Sequence, residues 1–184
     1  TLQAEDHPRE ITFSGGVALD VYSPITKIAI PLYTQAFKQL GIKFRAVRMP
    51  ERRSLESSNN GLVDGELTRV ENFHEVTSNR YPNLIRVDFN VYTAKWGTFG
   101  LKSTPMIHSI LALKNKTVVY RRGIKWIEKN VGVDHSNVRL MDSHLAAFKF
   151  VQLGRAEYVV ISRDAGFIVL KSMKTPKLVY RGSI

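Results

Sequence analysis

Residues 40–69 constrain the fold more than any other stretch, because they read as strand, helix and strand separated by turn residues. Gly41 stands where a left-handed residue ends a preceding helix. Alternating apolar and basic residues over 43–47 predict a partly buried strand. Pro50 is typical of a helix start, and a second strand is predicted over 62–67. This order predicts neighbouring strands joined by a helix.

The same alternation of strands and helices continues along the chain. The other predicted strands are 10–13, 84–88, 98–102, 117–120, 137–141, 158–161 and 178–180, and the other predicted helices are 24–40, 124–130 and 143–153. Elements of these lengths, in this order, predict an α/β fold with mostly parallel sheets flanked by helices.

The composition is that of a globular chain with a basic surface. Its 184 residues are 43% hydrophobic and 23% charged, and its net charge is +11. The basic residues occur in small groups, so an ordinary basic surface and a preference for anionic ligands both remain open. No helix-turn-helix, zinc knuckle or interleaved basic and aromatic pattern is present, and nucleic acid is not an expected partner. The lack of cysteine excludes disulfides and thiolate metal sites.

The sequence has no apolar run of about 18 residues, the length that a membrane-spanning helix needs. Residues 1–9 are polar and have no signal-peptide core. Two interpretations follow: the protein is cytosolic, or a signal peptide has been removed.

Several short sequence motifs occur in a characteristic order. They are Leu40-Gly41-Ile42, Met49-Pro50 with Arg53 and Leu55, Gly61-Leu62-Val63-Asp64-Gly65-Glu66, Tyr81-Pro82-Asn83-Leu84 and Leu153-Gly154-Arg155-Ala156-Glu157-Tyr158. In these motifs the chain resembles the type II periplasmic solute-binding proteins of ABC transporters, specifically the amino-acid-binding kind (bacterial family 3). The resemblance implies two α/β lobes joined by a hinge, with a ligand held in the cleft.

Further expectations follow from this resemblance. Lobe one would comprise residues 1–102 and lobe two residues 103–184, with the family's usual return segment to lobe one apparently missing. The protein would be a periplasmic monomer without a cofactor, and it would present a small polar or anionic ligand to a membrane transporter or receptor. The alternatives are a degenerate domain that binds a protein partner and, with less support, an enzyme on the same fold.

Ligands of open α/β sheets bind beyond the carboxyl ends of strands and at helix amino termini. That rule, with the aromatic residues near the lobe crossing, selects the candidate ligand-binding residues. They are Ser14, Gly15, Glu66, Arg69, Tyr92, Trp96, Arg121, Arg122, Ser143, Ser162 and Arg163. Tyr92 and Trp96 would either stack on a flat ligand or pack at the hinge. Trp126 has apolar neighbours at helical spacing and is predicted to lie in the core.

Two positions depart from the family pattern. The arginine that binds the ligand α-carboxylate in amino-acid binders corresponds to Gly97, and the carboxylate for the α-ammonium corresponds to Ser162. A free α-amino acid is therefore not the expected ligand, unless Lys95, Lys102 or Arg163 has taken over.

Catalysis has little support in the sequence. The five histidines show no metal-ligand spacing, and neither a His-Glu-x-x-His nor a Gly-x-Ser-x-Gly motif occurs. Asp142, Ser143 and His144 are consecutive at a predicted helix start, where Asp142 is expected to serve as the helix cap. No catalytic residue and no metal ligand is predicted.

Overall fold

The computed structural model describes residues 10–132 and 137–184, and it divides into two compact units between Tyr92 and Thr93. The sequence analysis had placed this boundary between residues 102 and 103. The difference arises because the strand after Tyr92, expected to leave lobe one, pairs with strands of the second unit.

Unit 1 is a three-stranded parallel sheet flanked by helices. Its elements are β1 (Glu10–Gly15), α1 (Pro24–Gln39), β2 (Lys43–Arg48), α2 (Glu51–Asn59), β3 (Gly65–Glu66) and the short α3 (Phe73–Val76). The strand order is β2-β1-β3, and all pairings are parallel. The predicted elements β1, α1, β2 and α2 are thus confirmed.

Aromatic packing fixes α1 on this sheet. Ser23 caps the helix by accepting a hydrogen bond from the Ile25 amide. Phe13 of β1 meets the Tyr33 ring of α1 edge-on at 5.5 Å between centroids. Phe37 of α1 stacks on Phe44 of β2 at 5.8 Å. These contacts hold α1 against β1 and β2, and Ser54 and Ser58 of α2 bond to Ser14 of β1 and Glu66 of β3, where the candidate residues of this unit lie.

Two predicted strands of unit 1 differ from the structure. The strand predicted over 62–67 is shorter and comprises Gly65–Glu66, although the Asp64 amide still donates to the Thr12 carbonyl oxygen at 2.9 Å. The prediction of a strand over 84–88 was wrong, and Ile85 and Val87 are 90% and 82% exposed there. Apolar residues do alternate in this segment, but among the described residues no strand pairs with it.

Unit 2 is a five-stranded sheet with the order β6-β5-β7-β4-β8. Its elements are β4 (Trp96–Leu101), β5 (Val118–Arg121), α4 (Lys125–Val131), β6 (Val138–Met141), α5 (His144–Gln152), β7 (Tyr158–Ser162), α6 (Arg163–Ser172) and β8 (Leu178–Ser183). The pairings of β5 with β6 and β7 are parallel, whereas β4 runs antiparallel to β7 and β8. The mixed α/β architecture is as predicted.

Helix α6 was not predicted, and β4 explains why it forms. Gly166 of α6 lies directly over the Phe99 ring, so an added Cβ would be 2.1 Å from a ring carbon. Phe99 is fully buried and also contacts Phe148 at 5.4 Å between centroids. Gly166 is thus the residue that lets α6 approach the sheet.

Candidate functional site

Four candidate residues lie together at the carboxyl edge of the unit 1 sheet. Ser14 and Gly15 end β1, Glu66 ends β3, and Arg69 follows three residues later. Ser14 is the register partner of Glu66 in the parallel pair, and their side chains are 3.3 Å apart, Ser14 Oγ to Glu66 Oε1. We call Ser14, Gly15, Glu66 and Arg69 the unit 1 edge.

Three serine hydroxyls surround one oxygen of Glu66. Ser54 Oγ donates to Glu66 Oε1 at 2.7 Å, and Ser58 Oγ and Ser14 Oγ each approach the same oxygen at 3.3 Å. Ser54 and Ser58 are four residues apart on α2, so both point at β1 and β3. Ser14 is fully buried, so its hydroxyl supports Glu66.

The other oxygen of Glu66 pairs with Arg69, whose guanidinium also binds Glu51 of α2. Only 19% of the Arg69 side chain is exposed, with 6% of Glu66 and 15% of Glu51. Arg69 Nε is buried and has no hydrogen-bond partner among the described residues. The Glu51–Arg69–Glu66 triad therefore holds a guanidinium between two carboxylates, and its buried Nε–H is unused among the described residues.

Burial raises the pKa of Glu66, and the opposing effects of the Arg69 charge and the Ser54 hydrogen bond are smaller. With both carboxylates ionised, the triad has one more negative than positive charge. The unit 1 edge is therefore better suited to a hydrogen-bonding or cationic part of a ligand than to an anionic part.

Gly16 leaves the room that this triad needs. A Cβ at Gly16 would be 2.0 Å from Glu51 Oε2 and 2.8 Å from the Glu51 Cα. Any side chain here would displace Glu51 and with it Arg69. The rule for strand ends selects Gly15 in the sequence but not Glu51, Ser54 or Ser58, although the four-residue spacing of the two serines was an available signal.

Most remaining candidates lie at one edge of the unit 2 sheet. Strands β5, β6 and β7 are parallel and end at this edge, and the antiparallel β4 begins there. The edge therefore brings together Trp96, Arg121, Arg122, Ser143, Ser162 and Arg163, and we call them the unit 2 edge. Tyr92 is the last residue of unit 1, partly buried, outside any helix or strand.

Several polar groups at the unit 2 edge are already engaged. Arg122 lies 3.8 Å from Asp142, and Arg163 lies 3.5 Å from Asp164. The Gly123 amide donates to Glu128 Oε1 at 2.7 Å. Ser143 caps α5 by accepting from the Ala146 amide at 3.1 Å, so the expectation of an Asp142 cap was wrong.

Trp126 does not lie in the core, contrary to the prediction. Its ring stacks on Trp96, with centroids 4.9 Å apart and planes 5° from parallel, and both residues are partly exposed. Trp96 in turn is the register partner of Ser162. The unit 2 edge thus carries an aromatic surface made of two indoles.

The position of the missing α-carboxylate arginine is closed to any side chain. A Cβ at Gly97 would be 2.6 Å from the Tyr180 ring and 2.9 Å from the Gly182 carbonyl oxygen. Ser162, at the position of the missing carboxylate, is 9% exposed. The packing of β4 against β8 therefore requires glycine where the amino-acid binders have arginine.

A separate surface cavity of about 360 Å³ in unit 1 contains none of the candidate residues. It is lined by Arg52, Glu56, Asn59, Asn60, Arg80 and Tyr81.

Among residues 10–132 and 137–184, no three His, Asp or Glu side chains cluster closely enough to bind a metal ion. Within the same residues, no helix has both the length and the apolar character needed to cross a membrane.

No protein-family model matches the chain, and no curated protein has significant sequence similarity to it. Solved structures are similar. Truncated, arginine-bound ArgBP from T. maritima has a TM-score of 0.71 and 18% identity, over 96% of this chain and 83% of that one. A histidine kinase sensor domain similar to periplasmic binding proteins has a TM-score of 0.70 and 15% identity, over 97% and 79%. The periplasmic VFT2 domain of BvgS from Bordetella pertussis has a TM-score of 0.69 and 12% identity, over 96% of this chain and 76% of that one.

The chain therefore has the α/β fold of periplasmic binding proteins, in agreement with the sequence prediction. Its similar structures include an arginine-bound binding protein, a histidine kinase sensor domain and a periplasmic VFT2 domain. At 12–18% identity this similarity defines the fold, and the ligand must be argued from the two edges.

Proposed function

We propose that this protein is a periplasmic solute-binding or solute-sensing protein that captures a small polar or anionic ligand. It would present the ligand to a membrane transporter, such as an ABC transporter, or to a receptor, and it would act as a monomer without cofactor or nucleic acid. The observation that carries the proposal is the Glu51–Arg69–Glu66 triad, which suits the hydrogen-bonding part of such a ligand, whereas an anionic group would be attracted by the unit 2 edge. Binding sites use a few polar groups that are held in place before the ligand arrives. Arg69 is held in this way by Glu51 and Glu66, at the edge of the sheet where β1 and β3 end.

The same geometry supports a ligand other than a free α-amino acid. Gly97 has no room for the arginine side chain, and the buried Ser162 supplies no carboxylate. The basic side chains of the unit 2 edge, Arg163 among them, could still attract a carboxylate or phosphate group. Organic acids and other polar anions are therefore the first ligand classes to examine.

The test is a thermal-shift screen of the protein against amino acids, organic acids, sugars, nucleotides and short peptides. One chemical class should raise the melting temperature in a saturable way, since a ligand at about 100 times its Kd stabilises the folded state by about 2.7 kcal/mol. Isothermal titration then gives Kd. A folded protein that responds to no class would contradict the proposal.

Matched variants connect binding to the triad. Arg69→Lys keeps the positive charge but loses the forked guanidinium, and we expect it to weaken binding of the screened ligand at least tenfold. Arg86→Lys is the control, because Arg86 pairs with Asp88 on the surface of unit 1 and is 51% exposed. Equal losses of affinity in the two variants would exclude Arg69 from the site.

A second candidate function, binding of a protein partner by a degenerate domain, has one observation in its favour. Ile85, Val87 and Phe89 are 90%, 82% and 63% exposed in a segment without regular structure. Exposed apolar side chains in sequence are typical of contact surfaces. A small-molecule response in the thermal-shift screen that survives Val87→Ser and Phe89→Ser would favour the solute-binding function.

A further inference from the structure

Both tryptophans of the chain belong to one stacked pair at the unit 2 edge. The sequence contains two tryptophans, Trp96 at the start of β4 and Trp126 in α4. Their rings are 4.9 Å apart between centroids and 5° from parallel. Residues thirty positions apart have thus been brought into a face-to-face indole stack at the edge of the sheet where β5, β6 and β7 end.

Core packing does not account for this pair. The core face of α4 is formed by Ile127, which is fully buried, and by Ile124 just before the helix, at 9% exposure. Trp126 lies between them in sequence, off that face, and is partly exposed. Stacking covers the inner face of each indole, and because both residues are still partly exposed, the rest of the pair offers surface for a further contact.

The charges beside the pair are mainly basic. A lysine directly precedes each tryptophan, Lys95 and Lys125. The acidic side chains of this edge, Glu128, Asp142 and Asp164, are each paired with a basic neighbour. Lys95 is exposed, and its carbonyl oxygen accepts the Arg163 amide hydrogen at 2.7 Å, which joins the start of α6 to the start of β4. The environment therefore favours negative charge next to a flat apolar surface.

We infer that the Trp96–Trp126 pair is a stacking platform for a planar, anionic ligand, such as an aromatic or heteroaromatic carboxylate. This inference rests on the proposed solute-binding function and specifies its ligand class. The ring of the ligand would stack on an exposed indole face, as bases and aromatic rings do on exposed aromatic side chains. Its carboxylate would be attracted by Lys95 and by the arginines of the edge.

The chain offers a direct optical readout, because all of its tryptophan fluorescence comes from this platform. Titrations would use two matched pairs of probes, benzoate with cyclohexanecarboxylate and nicotinate with nicotinamide. The first pair differs in ring planarity at constant charge, and the second differs in charge at constant planarity. We expect benzoate and nicotinate to change the emission saturably and to bind at least tenfold more tightly than their partners.

Variants separate stacking from general stability. Trp126→Leu should weaken benzoate binding about tenfold, and Trp126→Phe should retain most of it, because a ring still stacks. Phe89→Leu is the control, since Phe89 is an exposed aromatic residue in unit 1. Circular dichroism of each variant checks that it is folded, and Trp96→Phe provides a second ring-conserving test if Trp126→Leu does not fold.

The outcomes distinguish this inference from the proposed function. If some solute stabilises the protein but planar and puckered acids bind equally, or Trp126→Leu keeps full affinity, the platform is overturned while solute binding stands. If no compound of the thermal-shift screen or of the probe pairs binds, both are overturned. Tighter binding of planar acids, lost in Trp126→Leu and kept in Trp126→Phe, supports both.

Discussion

Arg69 lies between two carboxylates that are largely withdrawn from water. Glu66 and Glu51 have 6% and 15% of their side chains exposed, and the guanidinium bonds to both. Ion pairs of this kind add little compared with apolar packing, but removing one member leaves charge buried without compensation. Arg69 is therefore needed for the stability of unit 1, whatever its part in ligand binding.

Replacing Arg69 by Met should destabilise the protein by about 3 kcal/mol, because two buried carboxylates lose their shared cation. Arg86→Met should change the stability by less than about 1 kcal/mol, since that pair is exposed to water. Urea unfolding followed by far-ultraviolet circular dichroism measures both. Similar values for the two variants would mean that the triad is open to solvent.

The raised pKa of Glu66 gives a pH dependence with a definite sign. The folded protein binds the Glu66 proton more tightly than the unfolded chain does, where the pKa is about 4.3. The contribution of this group to stability is thus present below that value and is lost as pH rises through the raised pKa. The free energy of unfolding of wild type minus that of Glu66→Gln should fall as pH rises from about 4 to 7.

Glu71→Gln serves as the control for this titration, because the Glu71 side chain is 85% exposed. The free energy of unfolding of wild type minus that of Glu71→Gln should vary much less over the same pH range. An increase in the Glu66 difference with pH would show that Arg69 and the serines stabilise the carboxylate more than burial destabilises it.

At the scale of elements, α6 shows how a contact can override local preference. The segment Arg163–Ser172 contains Gly166, and glycine disfavours a helix interior by about 1 kcal/mol relative to alanine. The helix forms because Gly166 lets it lie against Phe99. Burial of Ala165 and Val169 on the same side adds to the contact.

Gly166→Ala should therefore destabilise the protein by about 1–3 kcal/mol, despite the better helix propensity of alanine, because the new methyl group would collide with the Phe99 ring. Lys171→Ala, at an exposed position of the same helix, should be nearly neutral. Urea unfolding followed by tryptophan fluorescence reports on unit 2. Stabilisation by Gly166→Ala would show that α6 can move away from β4 at little cost.

Across the whole molecule, the sign of the local charge differs between the two edges. The net charge is +11, yet the triad of unit 1 has an excess of negative charge, and the unit 2 edge is bordered mainly by basic side chains. Long-range attraction thus favours anions overall, whereas short-range contacts differ between the two edges.

An anionic ligand should consequently bind more weakly as salt is added. The screening length falls from about 30 Å at 0.01 M to about 8 Å at 0.15 M ionic strength. We expect the Kd of benzoate to rise several-fold over this range, while that of an uncharged ligand from the screen stays constant. Isothermal titration at the two salt concentrations measures both Kd values. If the two Kd values change equally, electrostatic attraction does not contribute to the binding of benzoate.

The α/β class and most elements could be predicted from the sequence, because Pro50 and Gly41 mark helix ends through local geometry that needs no distant contact. Ser14, Glu66 and Arg69 could be selected as candidates, since ligands of α/β sheets bind beyond the carboxyl ends of strands. The tertiary structure was needed to show that Trp126 meets Trp96, that Glu51 completes the triad, and that residues 84–88 pair with no strand among the described residues. These features depend on contacts between residues far apart in sequence, and periodicity along the chain contains no information about such partners.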